Sequence, residues 1–330
     1  MNSAQRPSTI RILLGYAAIY FIWGSTFLGI RIGVHEVPPF LFAAIRFSLA
    51  GIILYVWMRV KGTRSPTRRE WVSASAVGLL IFVFDYGLLF WAEQRVPSGI
   101  AAVMMATIPV FMALSEIVFL GTQKLTLRLA LALLVGSGGV VVLVSRSLSL
   151  SEAPVDTAGA IALVIAAISW ALAAVLMRKL PLPPVKSMSS AAQMLAGGAL
   201  LFVASCALGE FRAFHPQQVS RGAWIALAYL IFAGSIVAFT AYVWLLHYES
   251  PTRVGTYAYI NPIVAVAIGY FLGGEAVGPR TLLGTLLVLL SVIVITTTPA
   301  KRPATAWREK DPQLADQDVC PRREPASDAQ

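Results

Sequence analysis

Tyr257, Asn261 and Pro262 lie in an apolar run, residues 254–272, that is long enough to cross a bilayer as a helix. Pro262 has no N–H and crowds the preceding turn, so we expect a break there that frees the carbonyl of Ala258. Tyr257 and Asn261 are four residues apart and project from the same helix face. The hydroxyl, the carboxamide and the freed carbonyl either bind a polar ligand or hydrogen-bond to a neighbouring helix, with Pro262 packed as a kink.

Arg46 and Asp85 are charged side chains deep inside apolar segments. Arg46 lies seven residues, or about 10 Å, inside one end of segment 39–58. Asp85 lies six residues from Trp91 in the antiparallel segment 71–91, at nearly the same depth. Because a lone charge in hydrocarbon costs several kcal/mol, we expect either a paired strut or a wet cavity. In a cavity, Arg46 would meet a substrate carboxylate or Asp85 would exchange a proton.

Tryptophans and uncharged polar side chains complete the candidate site. Trp23 and Trp170 fall in the middle of their segments, deeper than the interfacial position usual for tryptophan. They either line a cavity, where they would stack on an aromatic or methylated ligand, or pack in the core. The candidate substrate-binding residues are Trp23, Ser25, Arg46, Asp85, Trp170, Gln193, Tyr242, Tyr257 and Asn261; Asp85 is the candidate proton carrier, and Pro109 and Pro262 are the candidate hinges.

Residues for catalysis or metal binding are sparse. His35, His215 and His247 lie near the ends of different segments, and no HExxH or GxSxG motif occurs. We therefore expect no enzyme activity, no metal and no cofactor. An integral-membrane enzyme is the less favoured alternative.

The elements that must position these residues are membrane helices. The chain has 330 residues, of which 57% are hydrophobic and 13% charged, as in a polytopic membrane protein. The first apolar segment is too long for a cleaved signal peptide, so we expect it to stay in the membrane. The predicted spans are residues 12–34, 39–58, 71–91, 97–120, 127–145, 158–177, 186–208, 222–246, 254–272 and 279–298.

Lysine and arginine predict the orientation of these spans. They concentrate in both tails and in residues 59–69, 124–128, 178–186 and 253, all on one predicted side of the membrane. This bias places both termini in the cytoplasm. The net charge of +10 is explained by this topology and by contact with anionic lipids, so no nucleic-acid partner is expected.

The two halves of the sequence repeat. Trp23 and Arg31 recur 147 residues later as Trp170 and Arg178. At an offset of 153, Trp71, Trp91 and Pro109 match Trp224, Trp244 and Pro262. Each half holds five predicted spans, and because five is odd the second half lies upside down relative to the first. Inverted repeats of this kind are typical of transporters.

Short motifs then give a family resemblance over about residues 10–298. They are YFIWGSTF at 20–27, VPP at 37–39 with RF at 46–47, VPSGIAA at 96–102, YAYINP at 257–262 and LGGE at 272–275. In this order they resemble the EamA-type members of the drug/metabolite transporter superfamily. One departure is Gln123, which stands where the family commonly has the glutamate found here as Glu275.

The resemblance implies an all-α, polytopic inner-membrane carrier with ten transmembrane helices in two inverted five-helix repeats, the fifth and tenth helices being peripheral. Its expected parts are a cytoplasmic N-terminal tail (1–10), a first repeat (11–145), an outer linker (146–157), a second repeat (158–298) and a disordered cytoplasmic tail (299–330). The expected function is export of small metabolites, most readily amino acids, by alternating access. Drugs, nucleosides or other metabolites are the alternative substrates, and lipids are the other expected partners.

Overall fold

The computed structural model describes residues 7–95, 101, 104–149, 156–273 and 279–297. These residues form ten principal helices and no strand. The helices are Thr9–Val34 (α1), Pro39–Val60 (α2), Arg68–Glu93 (α3), Ile108–Leu120 (α4), Leu127–Ser149 (α5), Thr157–Lys179 (α6), Lys186–Ala207 (α7), Arg221–Tyr248 (α8), Tyr257–Gly273 (α9) and Pro279–Thr297 (α10). Short helices at Glu210–Ala213 and Pro251–Val254 precede α8 and α9.

Six of these helices, namely α1, α2, α3, α6, α7 and α8, are long and apolar enough to cross a membrane. Their apolar side chains explain why they form, and they correspond to the predicted spans 12–34, 39–58, 71–91, 158–177, 186–208 and 222–246. The protein is therefore an all-helical, multi-pass membrane protein. Part of the predicted span 97–120 lies outside the described residues. The predicted disordered tail, 299–330, and part of the predicted linker, 150–155, lie outside the described residues.

Small residues bring pairs of helices into close contact. A Cβ atom added to Gly51 of α2 would lie 2.9 Å from the backbone nitrogen of Leu195 in α7, and one added to Gly198 of α7 would lie 2.8 Å from that of Ser48. Such close backbone approach is how membrane helices gain packing energy where the hydrophobic effect is absent. The helices α5 and α10 pair in the same way at Gly139.

Several long helices contain π-helical turns, in which the backbone carries an extra residue per turn. They are Ala18–Ile22 in α1, Leu79–Gly87 in α3, Glu116–Leu120 in α4 and Leu230–Phe239 in α8. In α8 the hydroxyl of Ser235 donates to the carbonyl of Leu230, five residues earlier, at 3.0 Å. Such turns are frequent at functional sites.

The two predicted hinge prolines differ. Pro109 is the second residue of α4, directly after a turn at 106–107, so the backbone changes course there. Pro262 lies inside α9, which continues through it, so the predicted break at this residue is not found. The helix is supported from outside: a Cβ on Gly24 of α1 would lie 2.6 Å from Val264 and 3.3 Å from the carbonyl oxygen of Asn261. This close packing holds the turn around Pro262 in helical form.

Carboxylates join distant segments at each end of the bundle. At the end named here the Glu36 end, Glu36 accepts hydrogen bonds from the backbone N–H (2.6 Å) and the hydroxyl (2.8 Å) of Ser220, the N-cap of α8. Glu210 accepts from the N–H groups of Phe40 (3.3 Å) and Leu41 (2.8 Å), in the first turn of α2. These bonds satisfy N–H groups that a helix start leaves without partners.

At the opposite end of the bundle, named here the Glu116 end, another carboxylate accepts hydrogen bonds from a distant segment. Glu116 of α4 accepts from the N–H (3.1 Å) and the hydroxyl (2.7 Å) of Thr252, and also from Thr122 (2.8 Å). Arg178 of α6 donates to the carbonyl of Glu249 at 3.1 Å. Residues far apart in the chain are thereby fixed together on both sides of the bundle.

Candidate functional site

A narrow cavity of about 50 Å³ lies within the helical bundle. Its walls come from α1, α3, α6 and α9 and from the start of α4. The lining residues are Trp23, Thr26, Phe27, Ile30, Asp85, Tyr86, Leu89, Met105, Ile108, Trp170, Tyr257, Ala258, Asn261 and Pro262. Five of the nine predicted substrate-binding residues are among them: Trp23, Asp85, Trp170, Tyr257 and Asn261.

Aromatic rings form one end of this cavity. The ring of Trp23 lies 4.8 Å from Tyr257 and 5.5 Å from Trp170 between centroids, each in an edge-to-face arrangement. The indole N–H of Trp23 donates to the carbonyl of Gly234 in α8 at 3.0 Å, which fixes the ring. Tyr242 packs behind these rings, with its ring centre 5.0 Å from that of Trp170. Edge-to-face pairs of this kind favour a rigid apolar wall.

Asp85 is the charged residue of the cavity. It lies in the π-helical turn of α3, and its side chain is 2% exposed. Its Oδ1 atom is buried without a hydrogen-bond partner, and no Lys, Arg or His of the described chain lies within 4.0 Å of it. Asn261 on the facing helix also has an unpartnered oxygen, Oδ1. Buried polar atoms are normally satisfied, so these atoms mark the place where a ligand or water would bind.

Arg46 lies outside the cavity and does not pair with Asp85, so the predicted ion pair is not formed. The side chain is fully buried and extends from α2 toward α8, where its Nε donates to the hydroxyl of Ser235 at 2.9 Å. The guanidinium carbon lies 4.6 Å from the ring centre of Phe47 and 5.2 Å from that of Tyr86. A cation on aromatic faces is stabilised without a carboxylate. Nη1 and Nη2 of Arg46 are nevertheless buried without hydrogen-bond partners.

The remaining predicted site residues also lie outside the cavity lining. Ser25 donates to the carbonyl of Ile22 at 2.7 Å and contacts the hydroxyl of Tyr229. Gln193 is fully buried in α7 and donates to Ser189 at 2.9 Å. Tyr242 is fully buried behind Trp23 and Trp170. Neither Gln193 nor Arg46 therefore lines the cavity.

Some lining residues were missed by the sequence interpretation. Thr26 lies three residues after Trp23, close to one helical turn away, so it could have been found by helical spacing. Tyr86 directly follows Asp85, about 100° around the helix, so spacing gives no signal for it. Leu89 and Ile108 carry no polar group and give no signal that separates them from core residues. In the described part of the chain, no three His, Cys, Asp or Glu side chains come together as a metal site requires.

The chain matches known proteins along most of its length. The EamA-like transporter family profile matches residues 10–145 and again residues 157–297. The chain is 38% identical to the uncharacterized inner membrane transporter YedA of Escherichia coli K12, over 84% of this chain and 88% of YedA. It is 23% identical to the uncharacterized transporter YoaV of Bacillus subtilis, over 89% of this chain and 99% of that protein.

The fold also has a match among solved structures. One crystal structure superposes with a TM-score of 0.71 at 21% identity, over 88% of this chain and 97% of the other. This likeness concerns the fold alone. The family match covers far more than half of the sequence, and YedA is similar over nearly its whole length. The protein is a multi-pass inner-membrane transporter, and it belongs to the EamA-like transporter family.

Proposed function

We propose that this protein is a secondary transporter that exports small metabolites by alternating access, with amino acids as the first candidates. The observation that carries the proposal is the cavity inside the bundle, which has unpartnered polar atoms on Asp85 and Asn261 and aromatic walls. Sites of this composition bind small molecules. Enzymatic chemistry would need a cluster of acid, base and nucleophile, and the described cavity lining holds one carboxylate.

In this proposal all ten helices cross the membrane as two inverted repeats. The two separate family matches, 10–145 and 157–297, support a division into halves. Trp23 and Trp170, which correspond in the sequence repeat, meet in the cavity with ring centres 5.5 Å apart. Such a meeting of equivalent residues is expected where two repeats enclose a central site.

The direction of the cavity supports an alternating-access cycle. From Trp23 the lining extends along α1 to Ile30, toward the Glu36 end. At the Glu116 end the passage is closed by the Tyr20–Thr256 hydroxyl contact (2.6 Å) and by the hydrogen bonds from Thr252 to Glu116. If both termini are cytoplasmic, as the lysine and arginine distribution indicates, this conformation faces outward.

Asp85 is the proposed proton carrier. It is the carboxylate of the cavity, and among the described residues no cation lies within salt-bridge distance to hold it in the charged form. Export driven by the proton gradient would then require Asp85 to bind and release a proton in each cycle. In Asp85→Asn we expect substrate movement to become independent of an imposed pH gradient. Proton flux that persists unchanged in this variant would contradict the role.

The function is tested by efflux of labelled threonine, methionine, phenylalanine and a neutral sugar from liposomes that contain the purified protein, with and without a pH gradient. We expect amino-acid efflux, and loss of that efflux in Tyr257→Ala and in Asn261→Ala. Retention of all four compounds would contradict amino-acid export and favour drugs, nucleosides or other metabolites as substrates. Chemical conversion of a compound in the vesicle would instead indicate an enzyme.

A further inference from the structure

We infer that the cavity selects ligands that carry a cationic amine, held at Asp85, with an apolar portion against Trp23, Trp170 and Tyr257. This inference rests on the proposed function and narrows its substrate class. The cationic group of the ligand, rather than a carboxylate, would be its point of attachment.

The charge balance of the lining is the first argument. Of the fourteen lining residues, Asp85 is the one carboxylic acid, and none is Lys, Arg or His. Its Oδ1 atom is buried without a partner. A buried carboxylate requires a compensating cation or a proton. An ammonium group supplies both a compensating charge and a hydrogen-bond donor for the unpartnered Oδ1 of Asp85.

The position of Arg46 is the second argument. A ligand carboxylate in this cavity would need a basic partner. Arg46 is the one basic side chain among the predicted substrate-binding residues. Arg46 is fully buried and does not belong to the lining. Its Nε donates to Ser235 and its guanidinium lies on the faces of Phe47 and Tyr86, while Nη1 and Nη2 have no hydrogen-bond partner. The described site therefore attracts a cation and offers a carboxylate no matching charge.

The aromatic walls are the third argument. Trp23, Trp170 and Tyr257 stand at 66° to 82° to one another, so the group presents ring faces in several directions. Ring faces attract cations, tryptophan most strongly, and the attraction grows when the site excludes water. Asn261 adds an unpartnered oxygen that accepts a hydrogen bond from an amine. The carboxylate, the amide and the rings thus favour the same kind of ligand.

The test compares three ligands of similar shape and different charge on the intact protein in lipid nanodiscs. The probes are β-phenylethylamine (a cation), phenylalanine (a zwitterion) and 3-phenylpropionate (an anion), with affinities measured by isothermal titration calorimetry. We expect the amine to bind about tenfold or more tightly than the anion. The free energy of one hydrogen bond between charged partners corresponds to a change in affinity of about that size. Phenylalanine should fall between them.

A matched pair of variants assigns the preference to Asp85. Asp85→Asn should reduce the amine affinity about tenfold or more. Glu36→Gln makes the same chemical change at a carboxylate that has its own partners on Ser220, outside the cavity lining, and should leave the affinity within about twofold. The wild-type series alone decides the inference if Asp85→Asn fails to fold.

Equal affinities for the three probes, preference for the anion, or no binding of the amine would overturn the inference. These outcomes are distinct from failure of the proposed function, which is read from efflux. Efflux of amino acids without preference for the amine would leave a transporter whose site does not recognise cations. Tight amine binding without movement of any compound would leave a cation site on a protein that is not a carrier of those compounds.

Discussion

Arg46 and Asp85 carry opposite charges on neighbouring helices, α2 and α3, and their surroundings differ in kind. The Nε of Arg46 has a hydroxyl partner and the guanidinium lies against two aromatic faces, while Nη1 and Nη2 are buried without hydrogen-bond partners and the residue does not line the cavity. The Oδ1 atom of Asp85 also has no hydrogen-bond partner, and Asp85 does line the cavity. A buried charge packed against aromatic faces can be tolerated by the fold, whereas one that lines a cavity is available to a ligand. Depth in the membrane alone does not separate the two cases.

The strongest test of this difference is Arg46→Ala. Removal of a large, fully buried side chain leaves a void, which should lower the free energy of unfolding by about 2–5 kcal/mol. Thermal unfolding in detergent measures the loss. The amine affinity of the protein that remains folded should stay within about twofold. Normal stability combined with lost binding would place Arg46 in the site after all.

A second test crowds Arg46 in place. A Cβ on Gly234 would lie 2.8 Å from Nη2 of Arg46 and 3.1 Å from Cγ2 of Thr26. Gly234→Ala should therefore destabilise the protein by about 1–3 kcal/mol. In an Arg46→Met background the contact with Nη2 is gone and most of this cost should disappear. Equal costs in the two backgrounds, measured as a double-mutant cycle, would show that the guanidinium does not fill this space.

The corresponding change at Asp85 should act on stability in the opposite sense. Asp85→Asn removes an uncompensated buried carboxylate and keeps its shape, so the free energy of unfolding should be unchanged or higher, by up to about 1 kcal/mol. The same thermal measurement applies. A clear loss of stability would mean that the carboxylate is satisfied within the protein, and the contrast with Arg46 would fail.

The smallest effect is expected at Glu36, a carboxylate outside the membrane spans that has partners. Hydrogen bonds from the backbone and the hydroxyl of Ser220 lower the pKa of Glu36 below its ordinary value of 4.5. Because the pKa of Glu36 is lower in the folded protein than in the unfolded chain, its ionised form stabilises the fold at any pH above the unfolded-state pKa. This contribution is lost as the pH falls through the folded-state pKa. Unfolding measured between neutral pH and acid should show slightly less acid sensitivity in Glu36→Gln. A variant as sensitive as wild type would indicate that the bonds to Ser220 do not persist.

Much of the helical layout was predictable from hydropathy. Segment 39–58 is found as α2 (Pro39–Val60) and segment 186–208 as α7 (Lys186–Ala207), because an apolar run of this length must satisfy its backbone as a helix. Trp23, Asp85 and Asn261 were found as lining residues for a related reason. Polar or bulky side chains in such runs need a cavity or a partner.

The errors concern direction rather than depth. Counting residues from a helix end gave the height of Arg46 but not the side to which it points. Arg46 lies in α2, a continuous α-helix, so the side to which it points depends on which helices pack around α2. In α3 and α8, π-helical turns also change the facing of side chains, because each turn adds a residue. Asp85 lies in the turn Leu79–Gly87, and Ser235, which bonds to Arg46, lies in the turn Leu230–Phe239. Hydropathy alone does not locate such turns.

The carboxylate of Glu210 has a consequence for biosynthesis. It supplies the acceptors for the first N–H groups of α2, at Phe40 and Leu41, and it lies 170 residues after Phe40. At about 5–20 residues per second, the ribosome adds Glu210 roughly ten to thirty seconds after those N–H groups have been made. Until then they depend on water or lipid headgroups. The start of the second helix is therefore completed only after the seventh helix has been translated, and a chain that stops at its midpoint leaves that end unfinished.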